Sequence, residues 1–286
     1  MKISGEIHSA ALLVGEEKAI ELMAKAGFDA WDLSMFCMTK VDWSTGSRTL
    51  SDHPLAGPNY LDFVRKLKQV GLDNGIHCNQ SHAPFPSQSA TVEKLLKRAI
   101  ECTAEAGGDI CVIHPKSYGT PEENAEMYGQ LLPFAKEHGV RIATENMWGW
   151  DSKNNHAAFA SCATAEDFNA NLDAVNDDFF VACLDIGHAE MRGNDTTAPQ
   201  MIRALGKRLK ALHIHDNNLK NDSHQIPFSM DIDFDAVVNA LREIGYDGYF
   251  TLEANAYLGD YTPETAFDGI QKLAESAKRL AAMFEV

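Results

Sequence analysis

The 286 residues carry 41 acidic against 25 basic side chains, a formal net charge of −16, with 45% hydrophobic and 23% charged residues. That composition is ordinary for a globular chain, and its field disfavours a nucleic-acid partner, since binding a phosphate backbone needs Lys and Arg to neutralise it. No apolar run approaches the ~20 residues of a bilayer crossing. The start, Met-Lys-Ile-Ser-Gly-Glu, lacks the basic-then-apolar pattern of a secretory signal, so a cytoplasmic location without a membrane partner is expected. Cys37, Cys78, Cys102, Cys111, Cys162 and Cys183 are dispersed with no CxxC pair, which suits reduced, packed thiols rather than a disulfide framework.

Short β-like and longer helix-like segments alternate along the chain. Ile3–Ile7 reads as a strand ending at His8; Glu16–Ala26 has helical spacing and stops at Gly27. A strand at Asp29–Leu33 leads into a polar loop from about Phe36 to Gly57, and an amphipathic helix follows over Asn59–Val70. Gly75–Asn79 is the third strand, then the turn Ser81-His-Ala-Pro-Phe-Pro86, a helix over Thr91–Ala106 and a strand at Ile110–His114. Pro121 opens a helix to about His138; Val140–Glu145 is a strand before a polar, aromatic loop. Helices at Ala165–Val175, Pro199–Leu205 and Phe234–Ile244 alternate with strands at Phe179–Asp185, Leu209–His215 and Tyr249–Glu253. A last helix, capped by Thr262-Pro263, runs to near Phe284.

Strand starts near 3, 29, 74, 109, 140, 179, 209 and 248 are spaced roughly 26 to 45 residues apart, as strand–helix units are. Eight such parallel units predict an α/β fold, a single-domain (β/α)8 barrel, with a doubly wound open sheet as the alternative.

Barrel enzymes place their chemistry where the strands end. There this chain sets Glu145, Asp185, His213 and Glu253, with His8, His82, His114, His188 and His215 nearby and Asp222 and His224 just beyond. In a strand, residues two apart share a face, so His213 and His215 point one way and Leu212 and Ile214 the other. Carboxylates closing apolar strands are costly to desolvate and repel one another when they converge. No Arg or Lys sits at those strand ends to pair with them, which argues against simple salt bridges. A divalent cation relieves both costs. Three oxygen donors and one imidazole suit Mn²⁺, Co²⁺ or Mg²⁺, with Zn²⁺ also open.

Ala143-Thr-Glu-Asn, Cys183-Leu-Asp-Ile-Gly-His, Leu212-His-Ile-His-Asp, Asp222-Ser-His-Gln and Tyr249-Phe-Thr-Leu-Glu resemble the xylose-isomerase-like barrel superfamily. The resemblance covers essentially residues 1–286 as one barrel domain and is loosest before residue 70. Among ketose 3-epimerases it implies one metal, Mn²⁺ first, held at Glu145, Asp185, His213 and Glu253. The two glutamates would exchange a proton on opposite sides of a small carbohydrate, and His188 would bind a substrate oxygen. His82, His114, His224 and Trp148 complete the expected substrate-binding set. The family's usual Arg after the strand-seven His is absent, with Lys220 nearby as its replacement. Dimers are common in the resembled group, so a homodimer is the expected assembly.

Endonuclease IV resembles the chain differently. Its three-zinc site matches nine ligand-capable positions: His82, His114, Glu145, Asp185, His188, His213, Asp222, His224 and Glu253. Against a DNA-repair reading stand the acidic charge and Phe228 and Met230, where that family commonly has glycine.

The expected chemistry is a metal acting as a Lewis acid on a ketose carbonyl and neighbouring hydroxyl, with Glu145 and Glu253 moving the proton between them. The outcome would be epimerisation, or isomerisation if one group serves both carbons; elimination from inositols or oxidised glycosides would use the same residues. Trp148 and Trp150 would form a sugar platform or merely cover the rim, and Phe36, Trp43 and the loop to Gly57 a lid. Asp32 reads as structural, His77 as a core histidine, and His53, His138 and His156 as surface residues without a role.

Overall fold

The computed structural model describes residues 1–42 and 47–285, which leaves Trp43 outside the described residues. Eight parallel strands form the wall: β1 (Ile3–Gly5), β2 (Ala30–Ser34), β3 (His77–His82), β4 (Ile110–Val112), β5 (Arg141–Glu145), β6 (Phe180–Asp185), β7 (Leu209–His213) and β8 (Phe250–Leu252). Strands β2 to β7 pair in that order and β1 pairs with β8. Single bridges, Glu6 to Asp32 and Ile214 to Leu252, span the two remaining gaps and close the ring. The open sheet is thereby excluded, and the barrel stands.

Alternation along the strands sorts the side chains into two populations. Ile142, Ala182, Leu184, Leu212 and Ile214 join a core shared with the helices, as does Val92 from the helix Ala90–Ala106. Ile110, Val112, Ala143, Val181, Cys183 and Ala211 form a separate apolar plug enclosed by the strands. With a period of two, the residues next above the plug on the same face are Glu145, Asp185 and His213. Glu253 stands two beyond Thr251 in the same way. The fold thus delivers these four side chains to the upper end of the barrel.

The helices are set by local chemistry that the sequence spells out. Thr120 and Thr197 each form a reciprocal capping box, with Glu123 and Gln200, at the starts of Pro121–Glu137 and Ala198–Leu205. Gly107, at φ 91°, closes Ala90–Ala106 by donating its N–H to the carbonyls of Ala104 and Thr103. Within that helix Val92, Leu95, Leu96, Ala99 and Ile100 are buried at helical spacing, each large apolar side chain contributing about 1.5–3 kcal/mol.

The structure corrects several expectations. β1 ends at Gly5, not His8, because the Glu6 carboxylate accepts the N–H groups of His8 (2.6 Å) and Ser9 (3.2 Å) and starts an extra helix, His8–Val14. β7 stops at His213, short of His215. His77 is exposed and bonds to the Tyr249 hydroxyl at 2.8 Å, so it is not a core residue. His53 is half-buried, with Nε2 2.6 Å from Glu16 Oε1, and ties the second helix to the turn Pro54–Ala56. His138 and His156 are also half-buried, each bonded to a backbone carbonyl. The long loops hold antiparallel pairs, Thr39–Asp42 with Ser47–Leu50 and Gly149–Asp151 with His156–Ala158. All six cysteines are free, five of them buried.

Candidate active site

Glu145 and His213 anchor the floor of the mouth. Glu145 Oε1 lies 3.0 Å from His213 Nδ1 and its Oε2 lies 3.1 Å from His114 Nε2 and 3.3 Å from His82 Nε2. Glu253 Oε2 approaches the same His213 Nδ1 at 3.6 Å. Asp185 sits to one side, its Oδ1 capping the backbone N–H of His188 (2.7 Å) and facing His215 Nε2 at 3.1 Å. Next to it β7 carries one extra residue, Lys210, opposite the step from Ala182 to Cys183 on β6.

A second group lies beside it. Asp222 Oδ2 is 3.3 Å from His188 Nε2 and 3.2 Å from His224 Nε2, and His215 stacks on His224 with ring centres 3.8 Å apart. Gly187 makes the stack possible, since a Cβ there would stand 2.0 Å from the His215 ring. His224 itself takes φ 40°, a left-handed value uncommon for a non-glycine residue and typical of constrained sites. Phe228 takes φ 71°, which explains why a glycine suits that position; the Arg279 guanidinium lies 3.7 Å over its ring.

Glu145, Glu253, Asp222, His82, His114, His188 and His224 open onto a cavity of ≈ 270 Å³, lined also by Phe36, Phe85, Met147, Trp148 and Asn255. Asp185, His213 and His215 are not among its lining residues. Trp148 donates its indole N–H to Asp222 Oδ2 at 3.2 Å. Trp150 is 39% exposed and, like Lys220, is not among the lining residues. Among the described residues no lysine or arginine lines the cavity. Phe85, Met147 and Asn255 carried no signal in the sequence, because only their position around the ring marks them.

Burial pushes both glutamates toward neutrality, and their neighbours then separate them. The charges and hydrogen bonds of His213 and His114 hold Glu145 well below its ordinary value. Glu253 is raised, chiefly by burial. Asp185 is held at about 2, where the charges of His188 and His215 outweigh burial. Burial sends His114 down to about 4; for His224 it is outweighed by the Asp222 hydrogen bond and the Glu253 charge, which lift it to about 9.

A divalent cation fits this donor set. Among the described residues Asp185 Oδ2 and Asp222 Oδ1 are buried without a hydrogen-bond partner, a state that native interiors rarely tolerate. Groups here that bring ligand atoms within 4.8 Å of one another include His82 with His213 and Glu253, His82 with His114 and Glu145, Glu145 with Cys183 and His213, and His188 with His215, Asp222 and His224.

Among the described residues no helix is long and apolar enough to cross a membrane. A ketose 3-epimerase of Arthrobacter globiformis is 24% identical over 251 residues, which cover 84% of this chain and 78% of that protein. The crystal structure of a D-tagatose 3-epimerase-like protein superposes with a TM-score of 0.73 at 22% identity, over 100% of this chain and 98% of that one. The IolI protein with a bound zinc atom superposes at 0.68 and 19% identity, again over 100% and 98%. A family profile described as a xylose isomerase-like TIM barrel matches residues 20–283. On the closed ring of parallel strands and this match over nearly its whole length, the chain belongs to the xylose isomerase-like TIM barrel family.

Proposed function

We propose that the chain is a metal-dependent sugar epimerase or isomerase that moves a proton next to the carbonyl of a free ketose. One observation carries the reading: two buried glutamates, Glu145 from β5 and Glu253 after β8, face one imidazole nitrogen at the floor of a sugar-sized cavity. Glu145, Asp185, His213 and Glu253 would hold the cation, Mn²⁺ by preference and Co²⁺, Mg²⁺ or Zn²⁺ by the same donor chemistry. The cation supplies Lewis-acid stabilisation for the negative charge that develops on the substrate oxygens.

The chain's own residues do the rest. The two glutamates come from strands three places apart around the ring, so a carbon held between them presents a different face to each. One carboxylate takes the proton from that carbon and the other returns one from the opposite side, which inverts the centre. His188, His82, His114 and His224 offer ring nitrogens to substrate hydroxyls, and Trp148 supplies an apolar wall. Phe36 and Phe85 exclude water above His82, with ring centres 4.6 and 5.9 Å from it. A phosphate would enter this cavity without a lysine or arginine to receive it, which favours an unphosphorylated sugar. Incubation of the manganese-loaded protein with ketohexoses and ketopentoses in D₂O tests the reading. Deuterium is expected at the inverted carbon; turnover without exchange, or no turnover across the panel, would overturn it.

A second reading, phosphodiester hydrolysis by several ions, draws on the further ligand groups around His114 and His224. The net charge of −16 and the cation-free cavity lining weigh against it. Metal stoichiometry separates the two: one equivalent of manganese for the sugar reading, three of zinc for hydrolysis.

A further inference from the structure

Four histidines at the mouth are anchored alike, His215 by the longest contact, Nδ1 to the Asp216 carbonyl at 3.4 Å. His82, His188 and His224 each donate Nδ1–H to a backbone carbonyl, of Ala83 (2.8 Å), Asn146 (2.9 Å) and Glu253 (2.7 Å). In the neutral ring a nitrogen that donates leaves the opposite one to carry the lone pair, so Nε2 of each is the nitrogen that a bound cation or substrate hydroxyl would meet once the ring is neutral.

His213 is turned the other way round. Its Nδ1 faces the two glutamates, and its Nε2 points down the barrel to Asp32 Oδ2, 3.5 Å away. Nε2 makes no hydrogen bond among the described residues, the buried Asp32 carboxylate being the acid it faces at ion-pair distance, and His213 is the one basic group in that range of Asp32. Asp32 is fully buried, and beside it β3 carries one extra residue, Asn79, opposite the step from Trp31 to Asp32 on β2.

The carboxylate is itself held from below. Gln80 donates Nε2 to Asp32 Oδ2 at 2.9 Å, while its Oε1 accepts from Thr251 Oγ1 (3.2 Å) and Asn79 Nδ2 (3.3 Å). Asn79 accepts in turn from Ser4 Oγ at 2.6 Å. Gln80 therefore cannot flip its amide without losing two bonds, and it always presents N–H groups to position 32. A carboxylate can accept from Gln80 and from His213 together. An asparagine cannot, since its own N–H₂ would have to face one of those donors.

We infer that Asp32 is a positioning residue, which holds His213 with its proton on Nε2 and so presents Nδ1 to the cation. The inference rests on the cation reading above. A carboxylate behind a ligating imidazole fixes the ring's orientation and raises its basicity, and losing such a partner typically costs about 10–100-fold in metal affinity.

Two measurements test it. In ¹⁵N-histidine NMR spectra of chelator-treated wild type, the His213 ring, identified by its absence from His213→Gln, is expected to carry a proton on Nε2. A ring protonated on Nδ1 alone overturns the inference, whether or not the protein binds a cation. In Asp32→Asn, manganese affinity by calorimetry is expected to fall about 10–100-fold, with the melting temperature of the metal-free protein reported alongside. Unchanged affinity in a folded variant makes Asp32 merely structural and overturns the inference; should that variant fail to fold, the wild-type spectrum decides. Wild type that binds no manganese removes the function proposed above instead, and the spectrum still decides the tautomer.

Discussion

The two ends of the barrel are built from the same strands yet treat charge in opposite ways. Where the strands begin, Arg141 pairs with Asp109 at 2.6 Å and Lys210 with Asp247 at 3.1 Å, all four partly or largely open to water. Where they finish, Glu145, Asp185 and Glu253 are buried, and among the described residues their ion-pair partners are histidines. Exposed pairs are worth about 0–1 kcal/mol and can be exchanged freely. Buried acids without a lysine or arginine are costly, and a chain keeps them where the acid is itself the working part. On the function proposed above, the lower end serves stability and the upper end chemistry.

The contrast can be broken first at its strongest point. Glu145→Gln or Glu253→Gln should lower epimerisation about 10²–10⁴-fold, with circular dichroism unchanged; full turnover in either would return the upper end to a structural role. Next comes the cation. Manganese at a hundred times its Kd stabilises the native state by about 2.7 kcal/mol, so chelation should lower the melting temperature by several degrees. Identical melting curves with and without manganese would leave the buried acids without their counter-charge.

Gly187→Ala tests how tightly the mouth is packed. Its new Cβ would stand 2.0 Å from the His215 ring, and overpacking of this kind costs about 1–3 kcal/mol in a urea melt. Wild-type stability there would show that the His215–His224 stack yields cheaply. Smallest is the expected effect at the lower end: Arg141→Ala should cost about 0–1 kcal/mol and leave turnover untouched. A large loss of activity would mean that the two ends are not separable.

Much of this architecture was legible in the residues because it depends on local period. Alternation placed Glu145, Asp185 and His213 on one inner face, and the glycine and threonine caps placed the helices that carry the strands between them. What escaped depends on contacts far apart in sequence. His77 looked like a core residue until Tyr249, 172 positions away, was found beside it at the rim. The neighbours of Asp32, Gln80 and His213, come from β3 and β7, so its place behind His213 could not be read along the chain. Lys220 stands near the site in sequence, yet it is not among the side chains lining the cavity, so proximity along the chain gave no guide to its direction. The helix His8–Val14 was hidden by Glu6, whose carboxylate caps it from the preceding turn.

Trp148 carries a last consequence. Its indole N–H is tied to Asp222 and its ring stands edge-on to His188 at 6.5 Å, while Trp31 is sealed in the core. Fluorescence from an indole bound to a carboxylate shifts when that carboxylate changes partners. Of the four tryptophans, Trp148 is thus tied to an acid of the pocket, and its share of the emission of unlabelled protein should shift when the pocket fills.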